Sequence, residues 1–169
     1  MTTNTATSDS TMESISKAVT IGREGDIESA RRDLLEIWNQ IGVDGDPFHR
    51  CTLAHYLADL YKSPAEALIW DVRALDAATT ITDQRAQQHH TGLQVAGFFP
   101  SLLLNIADNL RRLSAFEAAA EYIDSAAQHT PALPQDAYGN MICAAITEVR
   151  QAISNRESTS RPSAPGPTQ

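Results

Sequence analysis

Residues 102–131, LLLNIADNLRRLSAFEAAAEYIDSAAQHTP, carry two apolar stripes at helical spacing, one on either side of Ser114. Leu103, Ile106, Ala107, Leu110 and Leu113 form the first. Phe116, Ala119, Ala120, Tyr122, Ile123, Ala126 and Ala127 form the second. Recurrence every three or four residues puts each set on one face of a helix. Ser114 opens S-A-F-E, a capping-box pattern in which its hydroxyl accepts from the Glu117 amide and the Glu117 carboxylate reaches back. The stretch therefore predicts two helices on a very short turn, packed antiparallel, with small residues letting their axes approach.

The same unit recurs upstream. Ser10-Thr-Met-Glu13 is a capping box for a helix bearing Met12, Ile15, Ala18, Val19 and Ile21, which stops at Gly25. Asp26 caps the next helix, with Ile27, Ala30, Leu34, Ile37 and Ile41 inward and Gly42 at its end. Asp46-Pro47 starts a third helix, carrying Cys51, Ala54, Leu57, Ala58 and Tyr61. Ser63-Pro-Ala-Glu66 starts a fourth, carrying Ala67, Leu68, Val72, Ala74, Leu75 and Ala78. Residues 80–99 interrupt the cadence: Thr82 caps a short polar helix through His90, and Pro100 begins the third pair. Pro134 is placed to open a last helix with Tyr138, Met141, Ile142, Ala145, Val149, Ala152 and Ile153, a cap over the end of the stack. Residues 1–9 and 155–169 lack periodicity and read as disordered tails around a single domain of residues 10–154.

This pattern resembles the tetratricopeptide repeat, a helix pair of about 34 residues. The resemblance rests on Ala107, Leu110, Ala119, Ala126 and Pro131, on Ala18, Ile21, Gly25, Asp26, Ala30 and Leu34, and on Leu57, Ala58, Tyr61, Ala67 and Ala74. It implies an all-α solenoid of antiparallel pairs, about seven or eight helices in all. It also implies a binding scaffold whose concave groove is lined by the first helix of each pair. Carried over by residue, that lining is Thr52, His55, Tyr56, Asp59 and Lys62, then Ser101, Asn105, Asp108 and Arg112. Chaperone-tail binders of this family clamp a carboxylate with lysine and asparagine. Asn105 matches, but the groove is poor in lysine, and Ile15 and Val19 stand where the first pair needs its clamp.

Composition narrows the function. About 145 residues of domain bury roughly 68–70% of their unfolded surface, enough to fold without staples. The net charge of −8 argues against unaided binding to nucleic acid or anionic lipid. The doublets Arg31-Arg32 and Arg111-Arg112 read as helix surface charge. Cys51 and Cys143 stand far apart among apolar residues and read as buried thiols. The first residues lack a secretory pattern, and the apolar run from Val95 to Ala107 is too interrupted to span a membrane, so a cytoplasmic location is expected. There is no phosphate loop, no G-x-S-x-G and no H-E-x-x-H. His89 and His90 are adjacent and diverge on a helix.

The expected function is a non-enzymatic module without cofactor. It binds a protein or peptide through His55, Tyr56, Asp59, Ser101, Asn105, Asp108 and Arg112, in a polar groove suited to a cationic group. His55–Asp59 and Asp108–Arg112 are also ordinary i,i+4 pairs, worth about 0.2–0.5 kcal/mol each on an exposed helix. Two alternatives stand beside this: a small metal-binding or hydrolytic protein using His55 and Asp59, and a self-associating scaffold.

Overall fold

The computed structural model describes residues 8–162. The disorder expected of residues 1–7 and 163–169 lies outside them. The described residues form eight α-helices and no strand: α1 Ser10–Arg23, α2 Ile27–Ile41, α3 Pro47–Ala58, α4 Pro64–Ala78, α5 Asp83–His89, α6 Phe99–Arg112, α7 Phe116–His129 and α8 Ala137–Ser154. Short 3-10 turns at Val95–Phe98 and Thr130–Ala132 precede α6 and follow α7. None of the helices is long and apolar enough to cross a membrane.

Most starts are set by the local chemistry read from the sequence. Asp26, Asp46, Ser63 and Thr82 each accept from a backbone N–H in the first turn, the Asp46 bond to Phe48 N being 2.8 Å. Three starts differ. Asp9, not Ser10, caps α1, because its carboxylate takes the Met12 amide at 3.1 Å. Asp136, not Pro134, begins α8 by accepting from Gly139 N.

The Ser114 capping box does not form; α7 has no side-chain cap. Ser114 is spent on ending α6. It sits at φ 63°, its amide bonds to Arg111 O at 2.9 Å, and Ala115 N bonds to Leu110 O at 2.9 Å. That is a Schellman motif, which satisfies the last carbonyls of α6 and usually puts glycine at the left-handed position. Gly25 fills the same role after α1, and Arg156 after α8. Relief of the Cβ strain predicts that Ser114→Gly raises stability by about 0.5–1 kcal/mol, read as a melting temperature higher by about 2 °C. A lower melting temperature would mean that the serine hydroxyl holds the turn.

Helices α1 with α2, α3 with α4, and α6 with α7 pack as pairs; α4 leans on α6, and α8 covers α6 and α7. Small side chains set the close approach. Ala30, Ala54, Ala74, Ala107, Ala119 and Ala126 are fully buried, and a Cβ on Gly22 would stand 3.1 Å from that of Ala30. Two apolar clusters result, one over α1–α5 with the start of α6, the other over α6–α8. Leu75 and Phe99 pack against both and join them.

Several expectations about exposure change. Cys51 is buried, and burial pushes its thiol up to about 12. Cys143 is exposed, as are Tyr138 and Met141, because α8 turns a different face, with Ile142, Ile146, Val149, Ala152 and Ile153, into the core. Arg111 is fully buried rather than surface charge. Residues 155–162 do not lie free: Arg111 donates to the carbonyls of Glu157 and Thr159, and Arg161 pairs with Glu148 at 2.8 Å. At the other end, Asp9 joins His49, Arg85 and Asp46 in one ionic cluster that ties α5 to the starts of α1 and α3.

Candidate functional site

The seven nominated residues fall in more than one place, and Tyr56 and Asp59 also share a groove of about 380 Å³ with Val19, Gly22, Arg23, Ile27, Leu34 and Leu60. His55, Tyr56 and Ser101 border a groove of about 340 Å³. Met12, Ile15 and Ser16 of α1, Phe48, Cys51 and Thr52 of α3, and Leu102 of α6 share that lining. His89 and Leu93, from the segment that interrupts the cadence, close one side, and Tyr138 of α8 another. The wall is mostly apolar, not polar as expected. Within it, buried His55 Nδ1 has no hydrogen-bond partner among the described residues. The Ser101 hydroxyl is used locally, donating to Phe98 O at 3.0 Å.

Asp59, Asn105, Asp108 and Arg112 border a tight pocket of about 40 Å³, together with Asp71, Asn109 and Arg161. Asp59 and Asp108 come together here, in a more buried setting than helix spacing predicts. Ser101 and Asp108 are buried, though both were read as lying off the core face. The expected Asp108–Arg112 pair is absent. Arg111 Nε and Nη2 take Asp108 Oδ1 at 3.0 and 2.7 Å, while Arg112 crosses to the Lys62 carbonyl at 3.0 Å. Arg161 Nε stands 3.5 Å from Asp108 Oδ2. No hydrogen bond joins His55 to Asp59; the two interact only through charge.

Asp71, which sequence reasoning passed over, is the centre of this pocket. It lies on the buried face of α4 between Trp70 and Ala74 and is 1% exposed. Its Oδ2 accepts from Asn109 Nδ2 at 2.7 Å, and its Oδ1 from Asn105 Nδ2 at 3.4 Å. Burial lifts its carboxyl well above the usual range. The neighbouring Asp59 and Asp108 carboxylates add to this, and the two asparagine amides oppose it. Burial also raises Asp59, against the pull of His55 and Arg23. A single charged residue inside an apolar stripe was the available signal for Asp71. The i,i+4 repeat of Asn105 was the signal for Asn109.

Cys51 and His55 are four apart in the groove wall, the spacing of a thiol–imidazole pair. A thiol pushed up to about 12 is not a thiolate at neutral pH. Among the described residues no cluster of His, Cys, Asp and Glu has the geometry to hold a metal ion. What the site offers is an apolar groove with a buried imidazole nitrogen, beside an acidic pocket already filled by the chain's own guanidinium groups. Compared with models of known families, with curated proteins and with solved structures, the chain matches none.

Proposed function

We propose that the protein is a non-catalytic interaction module built of repeat-like helix pairs, and that it receives an extended segment of a protein partner in the groove beside His55. One observation carries this reading. The helices that border the groove include α1, α3 and α6, which are the first helices of the three pairs. A solenoid of antiparallel pairs, as in the tetratricopeptide resemblance, lines its concave face with such helices. The lining fixes what the segment must bring. Phe48, Leu93, Phe98 and Leu102 favour an apolar anchor side chain. The acidic balance of the chain, −8, turns away nucleic acid and favours a partner with positive charge nearby. A cytoplasmic setting belongs to the same proposal.

A random-peptide display library tests it. Selection against the wild-type chain is expected to enrich one motif around an apolar residue. Thr52→Trp fills the groove from α3, so it should weaken the selected peptide at least tenfold while the helical melt stays close to wild type. No enrichment, or a peptide that binds the filled groove equally well, would sink the reading.

A further inference from the structure

We propose that residues 155–162 are a detachable strap that occupies the acidic pocket on α6, and that the segment displacing it is a polar, arginine-bearing stretch of a partner protein. The starting observation is how the strap is held. Past the Schellman turn that ends α8, three arginines tie the segment to the helices. Arg111, fully buried, donates to the carbonyls of Glu157 and Thr159. Arg161 brings its guanidinium to Asp108 at 3.5 Å and to Glu148 at 2.8 Å. Arg156 lies over the Phe116 ring, 4.7 Å from its centroid, and reaches Glu117 at 3.2 Å.

The rest of the strap, Asn155-Arg-Glu-Ser-Thr-Ser-Arg-Pro162, has no apolar side chain but the proline, and residues 155–160 are exposed. Little apolar area is therefore lost when it lifts, and segments held in this way open well below the global unfolding free energy. Lifting it leaves a specific demand. Arg111 has lost two carbonyl acceptors on a buried guanidinium, and Asp108 and Glu148 have lost a cation. A backbone segment carrying a guanidinium a few residues away answers both needs at once. Arg161 precedes a proline, which biases its backbone away from the helical region. The net charge of −8 draws basic segments towards the chain. None of the residues lining this pocket lines the His55 groove, so the two proposals fail separately.

The test uses the full chain and a fluorescent synthetic peptide of sequence NRESTSRP. In the wild type the tethered strap competes at an effective concentration on the order of millimolar, so added peptide binds weakly. Arg161→Ala is expected to make the Ser158, Thr159 and Ser160 amides mobile by heteronuclear NOE and to tighten peptide binding at least tenfold by anisotropy. Adding Glu148→Lys should remove most of that gain, and a peptide with its second arginine changed to alanine should not bind. The proposal is overturned if the strap stays ordered in Arg161→Ala. It is equally overturned if the strap is mobile and the peptide binds no better than to wild type. A wild-type dimer by light scattering that Arg161→Ala converts to monomer would also overturn it, since the strap would then belong to a second copy.

Discussion

Arg111→Met is expected to destabilise the protein by about 3–5 kcal/mol, the range for breaking a buried ion pair from one side. For a chain of this size that lowers the melting temperature by about 10 °C or more. The reason lies in what the guanidinium satisfies. It is fully buried on α6 and makes two bonds to one Asp108 oxygen and one to each of two strap carbonyls. Methionine fills much of the same volume, so the loss is not a cavity effect. It is the desolvation of a carboxylate that keeps only the longer contact to Arg161. The companion variant separates these causes. Arg111→Met with Asp108→Leu removes both charges, and such double replacements are often neutral. It should recover at least half of the loss in urea unfolding. A single variant within 1 kcal/mol of wild type, or a double variant no better than the single one, would show that the pair does not hold this end of α6.

That Arg111 read as surface charge in the sequence shows where the sequence stops being legible. Helix existence and pairing were readable because their causes are local. Apolar residues recur on one face, and Asp26, Asp46, Ser63 and Thr82 each sit just before the helix they cap. Ser114 had the same signature and a different fate, because ending α6 and starting α7 compete for the same two residues, and the left-handed turn took them. The candidate site was legible only in part. Spacing placed Asp59, Asn105 and Asp108 near one another, since it needs only helix geometry and adjacent pairs. The partners that change their chemistry lie far along the chain: Asn109 is 38 residues from Asp71, and Glu157 is 46 from Arg111. A neighbour-based reading sees Arg111 beside Arg112 and Asp71 beside Trp70, and cannot see what the fold brings to either.

Asp71→Asn is expected to be close to wild type at pH 4.5 and more stable than wild type at pH 8, by on the order of 2 kcal/mol, the scale of leaving a buried charged group undercompensated. The sign follows from the direction of the shift. Burial and the nearby Asp59 and Asp108 carboxylates hold the Asp71 carboxyl well above its ordinary 3.8, so the folded state keeps a proton that the unfolded state has released. Stability from such a group is fully present below about 3.8 and is lost as pH rises through the folded value. Asp59, raised by burial, has the same sign. Asp9 has the opposite one. Burial raises it, but bonds from His49, the Met12 amide and Arg85 outweigh that, so its contribution is present above 3.8 and lost on acidification. The wild type should therefore lose stability on both sides of a mildly acidic optimum. Asparagine at position 71 keeps the carbonyl that accepts from Asn109. Its new amide faces Asn105, which is only partly buried and can turn its oxygen inward. The alkaline limb should then become shallower, keeping the part due to Asp59, while the acid limb, to which Asp9, Asp26 and Glu117 contribute, stays. Urea unfolding of both proteins at pH 4.5, 6, 7 and 8 decides it. Parallel curves across that range would mean that Asp71 is ionised in the folded protein, with the asparagine amides carrying its charge.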